Sequence, residues 1–161
     1  MQLTVTTLED LIDQGRWDAL SEIIEACPDA DVADVLDQLS EIHVVQIARH
    51  LRPDIFAEIF AYLRKDTQRA VSDVLNEDEL VKLLAGLRSD DRSTLLEALP
   101  DAISQTLLSR LTPEDSRNFQ RAMTYPEESV GRLMTLEFIC VSPTWSLAEA
   151  LAHIQRNGQN L

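Results

Sequence analysis

A twelve-residue repeat runs through most of this chain and limits what it can fold into. From position 39 onward every twelfth residue is a leucine, until a methionine ends the series. The members are Leu39, Leu51, Leu63, Leu75, Leu87, Leu99, Leu111 and Met123. A helix within twelve residues is too short to be stable alone in water, so each unit must pack on its neighbours.

A second apolar residue stands four positions before each member of this series. These residues are Val35, Ile47, Ile59, Val71, Leu83, Leu95, Leu107 and Phe119. Because residues four apart lie on one face of an α-helix, each unit is predicted to be one short helix followed by a tight polar turn. Successive helices then form antiparallel pairs, and the pairs accumulate into an all-α fold, a right-handed α-solenoid or superhelix.

The predicted turns share a chemistry as well as a spacing, because residues that favour helix starts follow each repeated leucine. Thr112 is the clearest N-cap, with Pro113 at the first helical position and Asp115 at the third. Helix is therefore expected to follow helix with almost no loop. Ahead of the repeat, a capping pattern at Thr7 predicts a helix that ends at Gly15.

The chain is strongly acidic. Its 161 residues include 28 Asp and Glu against 14 Lys and Arg, which gives a formal net charge of −14, and 45% of the residues are hydrophobic. That hydrophobic share is enough for a packed core, so we expect a folded acidic protein rather than a disordered acidic tail. A negative surface repels phosphate backbones and anionic lipid, which argues against nucleic acid as a partner and favours cations or basic partners.

The repeat ends at Tyr125-Pro126, and the composition changes there. Residues 137–141 are rich in β-branched and aromatic side chains, which predicts a strand. Ser146 and Glu149 then form a capping box that predicts a helix. One strand and one helix cannot bury each other, so we expect only the beginning of a second domain. No apolar run approaches the roughly 18 residues of a membrane-spanning helix, so none is expected in this fragment.

The junction between these two parts carries a recognisable motif. Residues 125–135, Tyr-Pro-Glu-Glu-Ser-Val-Gly-Arg-Leu-Met-Thr, precede the predicted strand and Trp145-Ser146-Leu147. This arrangement resembles a signature of the MgtE family of magnesium transporters, at the junction of their cytosolic N domain and first CBS domain. The resemblance implies an MgtE N-terminal helical domain at 1–130 and the start of a truncated first CBS domain at 131–161.

The preceding helical repeat is similar to that N domain at three places. These are Leu-Arg-Pro-Asp at 51–54, Phe-Ala-Glu-Ile at 56–59 and Leu-Leu-Glu-Ala-Leu-Pro at 95–100. A helical domain of the flagellar motor switch protein has a related appearance. The alternative function is therefore a helical-repeat protein–protein interaction scaffold, whose grooves hold a partner helix and whose acidic residues serve solubility.

The MgtE resemblance implies a place and a set of partners. MgtE proteins are dimeric membrane channels in which Mg²⁺, bound between acidic faces of the N and CBS domains, favours a closed pore. This chain is then expected on the cytoplasmic side of the cell membrane. Its expected partners are the CBS domains and transmembrane domain of the same polypeptide, within a homodimer. Mg²⁺ is the expected ion, bound weakly by the isolated fragment because half of each site is missing.

The same resemblance implies which residues bind the metal. By their positions in the family pattern these are Glu58, Asp90 and Asp91, together with a backbone carbonyl at Gly131 or Arg132. Carboxylate and carbonyl oxygens are the ligands that Mg²⁺ prefers, and because the ion keeps several waters, one or two carboxylates from each side suffice.

A plainer interpretation exists for each of these acids. Asp90 and Asp91 stand at a predicted helix start, where a carboxylate is favoured by the exposed N–H groups regardless of any ligand. Glu58 is mid-helix and needs no capping role, but an exposed Glu is ordinarily just solvated. Thr94 occupies a third position that is acidic in the family pattern, which leaves one ligand unaccounted for.

The sequence offers no sign of an enzyme. It has no Gly-rich phosphate loop, no serine nucleophile elbow and no clustered set of Cys and His. Asp90 and Asp91 are adjacent in sequence and are not predicted to face each other across a cleft, so they do not indicate acid–base catalysis.

Overall fold

The structure, a computed structural model, describes residues 3–126, 129–134 and 138–158. Within these ranges it contains twelve α-helices and no strand. In chain order they are α1 (Val5–Asp13), α2 (Trp17–Glu25), α3 (Asp29–Leu36), α4 (Glu41–His50), α5 (Pro53–Tyr62), α6 (Lys65–Val74), α7 (Glu77–Gly86), α8 (Ser89–Ala98), α9 (Asp101–Arg110), α10 (Pro113–Met123), α11 (Val130–Leu133) and α12 (Leu147–Asn157). None of these helices is long and apolar enough to cross a membrane.

The helices form a two-row solenoid. Helix α5 packs on α3 and α7, and α7 packs on α9, which makes one row; α4 packs on α6, and α8 on α10, in the other row. Contacts of α8 with α7 and α9 join the rows, while α1 and α2 pack on each other and on α4. The predicted all-α solenoid is therefore confirmed, and its handedness stays a prediction.

Six successive links between helices have the same two-residue form. The repeated leucine is the C-cap and the next residue is the N-cap of the following helix. The leucines have φ between −88° and −62° and ψ between 139° and 167°, so they are extended rather than helical. The prediction that each leucine shares a helical face with the apolar residue four positions earlier is wrong at these six positions. Leu51, Leu63, Leu75 and Leu87 are nevertheless buried, because each link turns its leucine into the core.

A second repeated feature, which the leucine pattern does not reveal, is a side-chain hydrogen bond at the C-terminal end of a helix. In four units the fourth residue of a helix donates a side-chain hydrogen bond to a carbonyl third from the end of the preceding helix. The donors are Gln68, Arg92, Ser104 and Ser116, and the acceptors are the carbonyl oxygens of Phe60, Leu84, Leu96 and Leu108, at 2.8, 2.7, 2.6 and 2.8 Å. The last carbonyls of a helix have no partner within it, so these side chains satisfy groups that would otherwise be buried and unpaired.

Arg92 is the strongest of these four donors. Arg92 is only 5% exposed, and its Nε and Nη2 donate to the carbonyl oxygens of Leu84 and Leu87, each at 2.7 Å. Its Nη1 makes an ion pair with Asp115, at the start of α10. One buried guanidinium thus joins α7, α8 and α10.

The C-terminal part differs from the prediction in one respect. Residues 138–141 are not a strand, because no second segment among the described residues pairs with them, and Glu137 lies outside those residues. The predicted helix is confirmed as α12, with the capping box of Ser146 and Glu149. At the other end, Thr4 rather than Thr7 caps α1, and the Thr7 N–H donates to its hydroxyl at 3.2 Å.

We expect Arg92→Met to lower the free energy of unfolding by about 3 kcal/mol, because two buried carbonyls and Asp115 lose their partner. Arg117→Met is the matched control, since Arg117 is exposed on α10, and it should change stability by less than about 0.5 kcal/mol. Urea unfolding measures both. Equal effects of the two substitutions would contradict the bracing role of Arg92.

Gly86 sets the distance between α5 and α7. A Cβ at this position would lie 2.8 Å from the Ala57 Cβ and 3.3 Å from the Pro53 carbonyl oxygen. Carbon atoms prefer a separation of about 3.5–4.0 Å, so only glycine allows the two helices to approach this closely.

Gly86→Val should therefore cost about 1–3 kcal/mol of stability, because α7 must move away from α5. The double variant with Ala57→Gly should recover part of that loss, since it removes the nearer atom. The coupling free energy from a double-mutant cycle in urea is the measurement. Strictly additive effects would show that the two positions do not press on each other.

Candidate functional site

A groove of about 370 Å³ opens where α3, α5, α7 and α8 meet. Its walls include Asp29 from the first turn of α3, Glu58 from the middle of α5 and Asp91 from the first turn of α8. Arg88, the N-cap of α8, also lines it. We call this feature, defined by these four residues, the acidic groove.

Local folding explains why each carboxylate lies there. On α5 the neighbours Ala57 and Ile59 are buried, so Glu58 between them is left on the exposed face. Asp29 and Asp91 occupy the first turns of their helices, where a carboxylate is favoured by free N–H groups. Packing of α5 on α3 and α7 brings these separate elements together.

The two aspartates of α8 share one cation. Arg88 Nη2 lies 3.5 Å from Asp90 Oδ2 and 3.6 Å from Asp91 Oδ2. The aspartate side chains are 23% and 26% exposed, whereas that of Arg88 is 70% exposed. The acids are therefore partly withdrawn from water while their counter-ion remains in it.

This arrangement leaves the carboxylates incompletely satisfied. Within the described part of the chain, Asp90 Oδ1 and Asp91 Oδ2 are buried atoms without a hydrogen-bond partner. Burial, and then the nearby charge of Asp90, raises the pKa of the Asp91 carboxyl, although Arg88 and Lys65 act in the opposite direction. The charged form of Asp91 is thus penalised by its surroundings, and an approaching cation would relieve that penalty.

The predicted metal-site residues are not all at one place. Glu58 and Asp91 line the acidic groove, whereas Asp90 adjoins it through Arg88. Gly131 lies in α11, which packs on α10, and a Cβ there would overlap the Tyr125 ring. Gly131 is not among the residues that line the groove.

Two further residues qualify the prediction. Thr94 donates its hydroxyl to the Asp90 carbonyl oxygen at 3.0 Å, so it is engaged with its own helix. Asp29 lines the groove but was missed from the sequence. Its only local signal is its place after Pro28 at a helix start, and most acids at helix starts in this chain are solvated.

The groove by itself is not a closed metal site. Across residues 3–126, 129–134 and 138–158, no three His, Cys, Asp or Glu side chains converge closely enough to hold a metal ion. Its carboxylates can supply part of a coordination shell, which suits Mg²⁺ because that ion keeps several waters.

Fold and groove together define an acidic α-solenoid domain with an open, carboxylate-lined surface. The family model of the MgtE intracellular N domain matches residues 27–128. The chain belongs to this family, and the resemblance found in its junction motif and repeat is confirmed.

Two relatives are named magnesium transporter MgtE. The protein of Bacillus subtilis is 21% identical over 145 residues, which cover 90% of this chain and 32% of the relative. That of Thermus thermophilus is 26% identical over 153 residues, covering 93% of this chain and 34% of the relative. The chain therefore spans about a third of the length of the curated relatives it matches.

Two crystal structures have the same fold. One, of the soluble part of a magnesium transporter, matches with a TM-score of 0.80 at 18% identity and covers 96% of this chain and 61% of the other. The second is of the cytosolic domain of the Mg²⁺ channel MgtE in complex with ATP. It matches with a TM-score of 0.83 at 25% identity and covers 96% of this chain and 64% of the other.

We expect Asp91→Asn to raise the Tm of the chain at neutral pH, because the raised pKa means that the charged carboxylate destabilises the folded state. The folded chain binds the Asp91 proton more readily than the unfolded chain does. Stability is therefore lost as pH rises from the ordinary aspartate pKa of 3.8 through the raised value. The advantage of Asn should shrink as the pH is lowered through that window.

The control for this measurement is Asp66→Asn. Asp66 is also in the first turn of its helix, but it is exposed. The Tm of this control should not rise and should fall slightly, since Asp66 gives up its favourable interaction with the helix N-terminus and an exposed ion pair with Arg64. Thermal melts between pH 4 and 7 that order the two variants the other way would contradict the role given to burial.

Proposed function

We propose that this chain is the Mg²⁺-sensing regulatory domain of a magnesium transporter, with the acidic groove as one side of its ion site. The observation that carries the proposal is the gathering of Asp29, Glu58 and Asp91 in one groove, beside buried carboxylate oxygens of Asp90 and Asp91 that lack hydrogen-bond partners. Membership of the MgtE intracellular N domain family supports it. The named relatives are transporters, which supports a regulatory rather than an enzymatic role.

Electrostatics supplies the switch. Two carboxylates about 4 Å apart repel by roughly 4 kcal/mol at an effective dielectric constant near 20, so a second acidic face docks on this groove poorly without a cation. Mg²⁺ placed between the faces replaces repulsion by attraction and favours the docked state. The ion then shifts a two-state equilibrium by the difference in its affinity for the two states.

The second face is proposed to belong to the CBS domains of the same polypeptide, in a homodimer whose transmembrane domain holds the pore. Docking of the two faces favours the closed pore. On this proposal residues 1–130 are the N domain, and residues 131–161 begin the first CBS domain. The Gly131 carbonyl is a candidate ligand from that second region, and Asp90 is one from the margin of the groove.

The test uses a complete transporter that contains this domain, with ion flux measured against cytosolic Mg²⁺. We expect Glu58→Gln with Asp91→Asn to raise the Mg²⁺ concentration for half-maximal shut-off about tenfold, which corresponds to 1.4 kcal/mol of lost ion binding. Flux at low Mg²⁺ should be unchanged, because the pore itself is untouched.

The control combines Glu22→Gln on α2 with Asp66→Asn on α6, both exposed and outside the acidic groove. It removes the same two charges, so a change in general electrostatics would appear in both proteins. Shut-off that is identical in the groove variant and wild type would exclude these side chains from sensing and favour the interaction scaffold.

A further inference from the structure

Arg88 holds an unusual place in a repeated pattern. Four helices have an arginine N-cap with an aspartate two residues later, the first being α2 with Arg16 and Asp18. In the other three the two side chains form an ion pair, namely Arg52 with Asp54, Arg64 with Asp66 and Arg88 with Asp90. Asp54 and Asp66 are exposed, so those pairs lie in water, although Arg64 also pairs with the buried carboxylate of Asp37, which is not part of the groove. Arg88 instead faces two partly buried carboxylates and also lines the acidic groove.

We propose that Arg88 is a tethered competitor of the divalent cation and sets the Mg²⁺ concentration at which the acidic groove fills. This inference rests on the proposed function and adds a residue that determines affinity. The guanidinium already lies between Asp90 and Asp91, at the edge of the groove that Glu58 also lines. It thus partly neutralises the negative charge of the carboxylates that would attract an incoming cation.

The geometry makes Arg88 displaceable. Its Nη2 distances of 3.5 and 3.6 Å exceed the usual 2.7–3.2 Å range of N–H···O hydrogen bonds, so neither contact is strong. The side chain is 70% exposed, so it gives up little burial when it moves away. A small doubly charged ion can therefore take over the carboxylates, but it must work against the positive charge that stays tethered nearby.

A displaced guanidinium has a second place to go. Arg88 also lines a second crevice, of about 880 Å³, to whose wall Glu114 and Asp115 of α10 contribute. Phe138 of the C-terminal segment lines the same crevice. Because Asp115 is already paired with Arg92, movement of Arg88 into this crevice exchanges Asp90 and Asp91 for Glu114, which lowers the cost of admitting the ion.

The experiment is a titration of the isotope-labelled chain with MgCl₂, followed by NMR shifts of the groove residues at low ionic strength. We expect Arg88→Gln to lower the apparent Kd for Mg²⁺ by roughly three- to tenfold, because one competing charge is removed. Arg88→Lys should stay close to wild type, since it keeps the charge. A structural role of the guanidinium fork would instead make Lys resemble Gln.

Arg64→Gln is the matched control, because it removes the same charge from the same helix position while Arg64 does not line the groove. It should leave the Mg²⁺ affinity unchanged within about twofold, apart from a small general effect that added salt screens. If Arg64→Gln strengthened binding as much as Arg88→Gln, net charge rather than competition would be the cause, and the inference would be overturned.

The remaining outcomes separate this inference from the function on which it rests. If the NMR shifts of Glu58 and Asp91 saturate at the same Mg²⁺ concentration in wild type and Arg88→Gln, Arg88 does not compete with the ion, and the proposed sensing function is unaffected. No Mg²⁺ shift at the groove in either protein would overturn both. A second readout needs no ion: Arg88→Gln should raise the pKa of Asp91 further, because Arg88 lowers it in the wild type.

Discussion

The two-residue link between successive helices is the constraint on which the rest of this structure depends. Each helix of the repeat is followed by one extended leucine and one N-cap residue, so the next helix begins almost where the last one ends. Free carbonyls at the end of one helix thereby come within reach of the fourth residue of the next. Gln68, Arg92 and Ser104 supply the donors that such ends require, and the solenoid continues without loops.

The acidic groove is a consequence of the same constraint. Short links alternate helices between two rows, so α5 meets α7 rather than only its neighbour in sequence, and Gly86 lets the two approach closely. Helix α8 starts directly after α7, which places Arg88, Asp90 and Asp91 beside the exposed face of α5 that carries Glu58. The proposed ion site therefore needs no dedicated metal-binding loop.

The sequence predicted the helices better than it predicted their contacts. Apolar residues spaced four and twelve positions apart identified the repeat, because the residues buried within one unit are close together in sequence. It did not reveal that Leu63 or Leu75 is an extended C-cap, since a buried link residue and a buried helix residue look alike. Asp29 was missed because the packing of α3 on α5 skips one helix, and no local pattern records that. Glu58 and Asp91 came from the family resemblance. Residues 138–141 have no pairing partner among the residues that the structure describes, and a strand needs one.

The electrostatics of the groove favour an ion that is weakly bound and doubly charged. Arg88 already supplies one positive charge beside Asp91. The pKa of Asp91 is nevertheless raised, so a single positive charge does not fully compensate the carboxylates. A fuller set of protein ligands would bind Mg²⁺ more tightly and would make its occupancy less sensitive to the Mg²⁺ concentration. On the proposed function, partial burial, the competing charge of Arg88 and an open outer face would together keep the affinity for Mg²⁺ low until a second surface closes the site. Occupancy of the proposed site would then depend on both the Mg²⁺ concentration and docking, which is what a regulatory domain requires.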